Sequence, residues 1–208
     1  VVAVFVADPF MVKKDSRWYM FFEVFNAESK NGEIGMATSD DGLRWKYEQI
    51  VLTESFHLSY PYVFESAGQY YMIPESSNEG SVRLYRAEEF PTKWIFIATI
   101  LKGKYVDTSV INYEGEWWMF TGEAESNSML RLYYSDILTG PWIQHPRSPI
   151  IHGNNRIARP AGRILTQKGQ MIRFAQDCSV HYGNGVYAFR ILKLTTTEYE
   201  EEAVSENP

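Results

Sequence analysis

The chain has 208 residues, of which 45% are hydrophobic and 15% aromatic, enough for one sizeable core. Its net charge of −6 argues against nucleic-acid binding, which requires a basic surface. No apolar run approaches about 18 residues, so we expect no membrane-spanning helix. The one cysteine, Cys178, excludes an internal disulfide and is expected to be a small buried apolar residue. These features leave localisation and oligomeric state open.

A block of about 18 residues recurs four times, with a period of about 50 residues. The copies begin at Val6, Leu58, Tyr105 and, in a degenerate form, Ile157. In each copy an apolar strand, a polar turn and an aromatic strand predict a β-hairpin. The turns are Lys14-Asp15-Ser16, Ala67-Gly68-Gln69, Glu114-Gly115 and Lys168-Gly169.

Two further strands complete each unit, and repeated four-stranded units are typical of a β-propeller. We therefore predict an all-β fold, a β-propeller with four blades in this chain, as a single domain over residues 1–208. The blades are expected at residues 5–52, 58–101, 105–151 and 156–204. The acidic ending YEEEAVSENP, from Tyr199, is expected to form a frayed tail, although the fourth blade also needs a strand near Tyr199.

In a propeller the inner strand of each blade begins at the mouth of a central shaft. The alignment places four residues at this position: Asp8, Tyr60, Asp107 and Arg159. Because the second strand returns antiparallel, its end lies at the same rim. Three glutamates and a histidine are expected there as well, namely Glu23, Glu75, Glu123 and His57. The alignment thus predicts five carboxylates and one arginine around one funnel.

These residues also have structural interpretations. Asp8 and Asp107 could cap turns. Glu23 and Glu75 could pair with an arginine, the candidates being Arg83, Arg131 and Arg159. Arg159 could bind a substrate carboxylate or phosphate, or neutralise the acidic ring. Tyr60 could stack on a sugar or belong to the core. The four histidines show no metal-ligand spacing, so we predict neither a metal-binding set nor a cofactor.

Several segments resemble a known family. ADPF at residues 7–10, followed by WYMFFE and GMATSDDGLRW at 35–45, resembles the first blade of the five-bladed furanosidase propellers of glycoside hydrolase families 43 and 32. HLSYPYVFE, YMIPES, YVDTSV and ARPAGR resemble more closely a bacterial, family-43-like group. That group is related to the N-terminal domain of plant glucosamine inositolphosphorylceramide transferases. The resemblance implies a fifth blade that this chain lacks at its C-terminal end, and it leaves open an axial ion such as calcium.

By resemblance, Asp8 is the general base and Asp107 orients the acid and tunes its pKa. Crowded carboxylates suit this chemistry because mutual repulsion raises at least one pKa. The family's general acid is a glutamate at the start of the fourth inner strand, where this chain has Ala158-Arg159-Pro160. Arginine does not donate its proton at neutral pH. The acid is therefore expected to be Glu75, and Glu123 and Glu23 are the next candidates.

The predicted function is hydrolysis of a glycosidic bond, with furanosides as the first candidates and Glu23, Tyr60, Glu123, Arg159 and His57 as substrate-binding residues. The resemblance implies inversion, with about 6.5–9.5 Å between acid and base. The alternative is a non-catalytic carbohydrate-binding propeller associated with a glycosyltransferase or another carbohydrate-active enzyme. Arg159 and the plant-domain resemblance favour this alternative. In both interpretations the partner is a carbohydrate.

Overall fold

The computed structural model describes residues 2–204, whose regular structure consists of β-strands and one short 3₁₀ turn. The chain divides into two compact units, Val1–Gly103 and Lys104–Pro208. Each unit contains two antiparallel sheets, in which most strands pair with a neighbour in sequence. The four sheets are the four blades that the repeat predicts, and the fold is all-β and of the β-propeller class.

Unit 1 contains two regular four-stranded blades. Blade 1 is formed by β1 (Ala3–Lys14), β2 (Arg17–Asn26), β3 (Gly32–Ser39) and β4 (Lys46–Leu52). Blade 2 is formed by β5 (Ser59–Ser66), β6 (Gln69–Glu75), β7 (Ser81–Glu89) and β8 (Lys93–Lys102). The 3₁₀ turn, Ser77–Glu79, connects β6 to β7.

Unit 2 contains two less regular blades. Blade 3 is formed by β9 (Tyr105–Tyr113), β10 (Glu116–Glu123), β11 (Ser126–Ser135) and two short outer pieces, β12 (Ile143–Gln144) and β13 (Ile151–His152). Blade 4 is formed by β14 (Arg159–Pro160), β15 (Leu165–Gln167), β16 (Gln170–Asp177), β17 (Gly185–Leu194) and β18 (Tyr199–Ala203). Its inner strand is split into β14 and β15 at the segment that contains Gly162, whose φ is 108°. Pro160 also lacks an N–H for the ladder.

The four predicted inner hairpins are confirmed. Each turn places at least one residue at positive φ, the backbone conformation that tight hairpin turns require. These residues are Asp15, Ala67, Gly68, Glu114, Gly115, Lys168 and Gly169. The first two strands of every blade are therefore fixed by local sequence.

Each unit has its own apolar core. In unit 1, Trp94 of β8 packs edge-on against Phe21 of β2, with ring centroids 5.5 Å apart, so an aromatic contact joins blades 1 and 2. Unit 2 is centred on a buried cluster that joins blades 3 and 4 and contains Trp118, Phe120, Leu130, Leu132, Ala158, Ile164, Met171, Ile191 and Leu194. Full burial of a large apolar side chain stabilises the fold by about 1.5–3 kcal/mol.

The two expectations for the acidic ending have different outcomes. The strand near Tyr199 is confirmed, because Tyr199–Ala203 forms β18, which pairs with β17, and the frayed tail is wrong for these residues. Arg173 is buried and makes two hydrogen bonds to the carboxylate of Glu201, at 2.8 and 2.6 Å. The Tyr199 hydroxyl donates to the same carboxylate at 2.5 Å. A buried arginine therefore anchors this acidic strand; residues 205–208 lie outside the described part of the chain.

Two predictions from composition concern burial and membranes. Cys178 is only half-buried, because it lies just beyond the end of β16 and not in the core, so the prediction of a buried cysteine is wrong. Among residues 2–204, no helix has the length and apolar character needed to cross a membrane.

Candidate functional site

Three of the four inner strands carry a β-bulge at the predicted site position. The φ angles of Asp8, Tyr60 and Asp107 are 52°, 42° and 51°, in the left-handed region that non-glycine residues seldom adopt. At each of these residues the pairing of the inner strand with its neighbour shifts register. Such a backbone costs on the order of 1–3 kcal/mol, and a bulge redirects the side chain. The repeat thus places three strained residues at equivalent positions.

Arg159 departs from this pattern. In β14 it pairs directly with Gln176 of β16, and the positive φ in this part of the chain falls on Gly162. The fourth copy is longer than the others between its inner-strand start and the end of its second strand. The equivalence that the alignment predicts for Arg159 therefore does not extend to its backbone conformation.

In unit 1 the structure brings together part of the predicted site, which we call the unit 1 cluster: Asp8, Glu23, His57, Tyr60 and Glu75. The Nε2 atom of His57 lies 3.2 Å from Oε1 of buried Glu23. The Nδ1 atom of His57 accepts a hydrogen bond from the backbone N–H of Gly32 at 2.9 Å. Because Nδ1 is an acceptor, neutral His57 carries its proton on Nε2 and donates it to Glu23.

The pKa of His57 is raised above its ordinary value. The hydrogen bond to Glu23 is the largest cause; burial acts in the opposite direction, and the negative charges of Glu23, Glu75 and Asp8 add to the rise. The carboxylates that the alignment assigns to blades 1 and 2 therefore act electrostatically on one imidazole. This part of the predicted constellation shares one electrostatic environment.

Asp8 and Tyr60 contact each other through the backbone. The Oδ2 atom of Asp8 accepts a hydrogen bond from the Tyr60 N–H at 3.3 Å, across the two blades of unit 1. The Tyr60 ring is buried and packs edge-on against Phe10, with centroids 4.7 Å apart. Tyr60 thus fits the core interpretation and presents no exposed stacking face. Glu75, at the end of β6, accepts a hydrogen bond from the Ser77 hydroxyl at 2.9 Å.

In unit 2 a second group of polar residues surrounds Asp107. We call it the unit 2 cluster: Asp107, Asn127, Arg159 and Tyr182. The Nε atom of Arg159 lies 2.5 Å from Oδ2 of Asp107, and the two side chains are only 13% and 6% exposed. Nη1 of Arg159 donates to Oδ1 of Asn127 at 2.9 Å. Because arginine stays protonated, this contact holds Asp107 as a carboxylate.

The remaining predicted carboxylate, Glu123, belongs to the hairpin of blade 3. Its Oε1 atom accepts a hydrogen bond from Nε of Arg131 in the neighbouring strand. Arg83 pairs with Glu54 and Glu79. Arg83 and Arg131 were two of the candidate partners of Glu23 and Glu75, and both pair with other glutamates instead.

Sequence reasoning missed three residues that shape these clusters. Gly32 fixes the tautomer of His57, Asn127 holds Arg159, and Tyr182 packs over the Arg159 guanidinium, whose central carbon is 5.0 Å from the ring centroid. None belongs to the repeated block. Tyr182 stands immediately before Gly183, at a turn. An aromatic residue in a glycine-containing loop was the signal that could have indicated a site residue here.

Asp8 and Asp107 belong to different units, so their meeting in one funnel stays a prediction, as do the catalytic roles. Within residues 2–204, no group of three or more histidine, cysteine, aspartate or glutamate side chains is arranged to hold a metal ion.

The four blades define a protein of the β-propeller class, and solved glycoside hydrolases share this fold. An exo-β-1,3-galactanase from Phanerochaete chrysosporium, solved with galactose, matches 96% of this chain and 50% of its own, with a TM-score of 0.76 at 14% identity. An α-L-arabinanase from Cellvibrio cellulosa matches 95% of this chain and 77% of its own, with a TM-score of 0.68 at 15% identity. At these identities the likeness concerns the fold.

Sequence comparison then assigns the family. Residues 1–207 match the family model of glucosamine inositolphosphorylceramide transferase 1, N-terminal, and the chain belongs to this family. Glucosamine inositolphosphorylceramide transferase 1 of Oryza sativa subsp. japonica is 38% identical over an alignment 208 positions long, which covers 97% of this chain and 28% of the relative. The Arabidopsis thaliana protein of that name is 37% identical over 96% of this chain and 27% of its own length. The chain thus spans little more than a quarter of these relatives.

Proposed function

We propose that this chain is a carbohydrate-binding domain associated with a glycosyltransferase, and that it binds sugars without cleaving them. The observation that carries the proposal is the ion pair between Asp107 and Arg159, 2.5 Å apart and nearly buried. By resemblance, a hydrolase of this fold places its proton donor at the start of the fourth inner strand. Arginine in that strand stays charged and holds its neighbour charged as well.

The other candidate acids also serve as hydrogen-bond acceptors. Glu23 accepts from His57, Glu123 from Arg131, and Glu75 from the Ser77 hydroxyl. Each of these carboxyl groups thus offers oxygen atoms to donors, and sugar hydroxyls are donors, so the arrangement suits the binding of a sugar.

The names of the relatives indicate which ligands to test first. These names contain glucosamine and inositolphosphorylceramide, so an amino sugar and an inositol phosphate are the first candidates. The acidic composition of this chain, with a net charge of −6, favours the amino sugar.

The test is to mix the chain with glucosamine, myo-inositol 1-phosphate, β-1,3-galactotriose and an arabino-oligosaccharide. Isothermal titration calorimetry reports binding, and anion-exchange chromatography reports cleavage. We expect binding of at least one sugar and no cleavage products. Cleavage that the Asp8→Asn variant abolishes would contradict the proposal, and so would the absence of binding to all four probes at millimolar concentration.

Glycoside hydrolysis is the second candidate, and the backbone at Asp8 and Asp107 favours it. Both aspartates hold left-handed φ angles of 52° and 51°, and strain of this kind clusters at functional sites. In this scheme Asp8 is the base, Glu75 the acid and Asp107 the residue that tunes the acid.

Paired variants test that scheme. If a cleaved substrate is found, Asp8→Asn and Glu75→Gln should each lower turnover by about 10²–10⁴-fold. Glu28→Gln, at an exposed position of unit 1, should leave turnover unchanged. Full turnover in both site variants would exclude the scheme.

A further inference from the structure

Tyr182 is a large aromatic side chain in an exposed position. It lies in the segment between β16 and β17 and is 63% exposed. Exposed aromatic rings leave apolar area in water and thus forgo the stabilisation that burial gives. An exposed ring over a polar cluster is therefore a candidate binding surface.

The Tyr182 ring packs against a side chain that other contacts hold in place. The Arg159 guanidinium packs over the ring, with its central carbon 5.0 Å from the centroid. Two further contacts fix the plane of that guanidinium, one to Asp107 at 2.5 Å and one to Asn127 at 2.9 Å. Because a planar guanidinium held at two edges cannot turn easily, it supports the ring in one orientation.

Arg159 itself is poorly placed to bind a ligand. Its side chain is only 13% exposed, and its charge is balanced by Asp107. An anionic ligand would have to displace that carboxylate. Asn127 is exposed and turns Oδ1 towards Arg159, so its Nδ2 amide is the group that can donate to a ligand hydroxyl.

We propose that Tyr182 and Asn127 form a sugar subsite in unit 2. The exposed face of Tyr182 stacks on the C–H face of a pyranose ring, and the Asn127 amide donates to a ring hydroxyl. The ligand class is a neutral or amino sugar, not a phosphate or a uronate. This inference rests on the proposed carbohydrate binding and adds the residues and ligand class of the subsite.

Three variants of the full chain test the subsite, titrated with glucosamine, with β-1,3-galactotriose and with myo-inositol 1-phosphate. Tyr182→Ala should weaken the binding of the sugar that the wild type binds at least fivefold, and Tyr182→Phe should stay within twofold of wild type. Tyr47→Ala is the matched control, because Tyr47 is a 52% exposed tyrosine of unit 1, and it should leave affinity unchanged. The urea midpoint of Tyr182→Ala should equal that of the wild type, which excludes a purely structural effect.

The outcomes separate this inference from the proposed function. If the wild type binds a sugar and Tyr182→Ala binds it equally well, the subsite is wrong and carbohydrate binding stands. Tighter binding of myo-inositol 1-phosphate than of either sugar, lost in Tyr182→Ala, would contradict the ligand class. If the wild type binds neither sugar, the subsite and binding of these sugars both fail.

Discussion

The unit 1 and unit 2 clusters each place a buried carboxylate against a basic side chain, and the two basic side chains differ. In unit 1 the buried carboxylate of Glu23 contacts His57, and in unit 2 the buried carboxylate of Asp107 contacts Arg159. Histidine changes its charge near neutral pH and arginine does not. The unit 1 cluster can therefore respond to pH, whereas the unit 2 cluster keeps a fixed ion pair. The repeat sets the backbone position of a site residue, but the partner of each carboxylate sets its chemistry.

The largest expected effect comes from breaking the fixed pair. Arg159→Ala leaves Asp107 buried without its cation, and removal of one partner of a buried pair costs about 3–5 kcal/mol. Urea denaturation of the variant and the wild type measures the loss. If the loss is below about 1 kcal/mol, the pair behaves like an exposed one, and the contrast between the clusters disappears.

Two controls accompany that measurement. Arg190→Ala removes an exposed pair with Glu202 in the same unit and should cost no more than about 1 kcal/mol. The double variant Arg159→Met with Asp107→Asn removes both charges and should recover much of the stability lost in Arg159→Ala. A double variant as unstable as the single one would show that side-chain packing, not charge, explains the loss.

A smaller effect is expected from crowding the histidine. Gly32→Ala would place a Cβ 2.3 Å from the Leu58 carbonyl oxygen and 2.7 Å from Cε1 of His57. Neither the backbone carbonyl nor the paired imidazole can move freely, so we expect a loss of about 1–3 kcal/mol. The loss is measured by urea denaturation, and NMR of His57 reports whether its contact with Glu23 survives.

Gly185→Ala is the matched control for Gly32→Ala. Each glycine is the first residue of the third strand of its blade, in β3 and β17. A Cβ at Gly185 would meet its nearest neighbour, Cβ of Asp177, at 4.0 Å, an ordinary contact. The change should therefore stay within about 0.5 kcal/mol. Equal losses in both variants would contradict a specific role for Gly32 beside His57.

The smallest effect is a dependence of stability on pH. The pKa of His57 in the folded chain is raised above 6.5, chiefly by its hydrogen bond to Glu23. Protonation therefore favours the folded state, and the gain is fully present below about pH 6.5 and is lost as the pH rises through the raised pKa. The Gly32 N–H at Nδ1 opposes protonation there and limits the gain.

The measurement compares the wild type with His57→Gln in urea at several values from about pH 8.5 to about pH 6. The stability difference in favour of the wild type should grow as the pH falls. A difference that is constant across this range would show that His57 does not change its protonation state there, and the contrast between the two clusters would then be one of geometry alone.

The repeat made most of the fold predictable. Inner hairpins such as Ala67–Gly68 depend on residues that are adjacent in sequence, and the strand order follows from those turns. The anchoring of the acidic ending was not predictable in the same way, because Glu201 of β18 binds Arg173, which lies 28 residues earlier in the chain. Local composition indicated a solvated tail, and the partner that binds it is distant in sequence.

For the site, the sequence by itself determined which positions are equivalent: the aligned copies put Asp8, Tyr60 and Asp107 at one position of the repeat, and all three adopt the same left-handed backbone. Tertiary structure alone decided what each side chain contacts. The Tyr60 ring lies in the core, and His57 contacts Glu23. Arg159 pairs with Asp107 and also contacts Asn127 and Tyr182. The physical reason is range: backbone conformation depends on residues adjacent in the chain, whereas the pairing of buried charges depends on contacts between segments that only folding brings together.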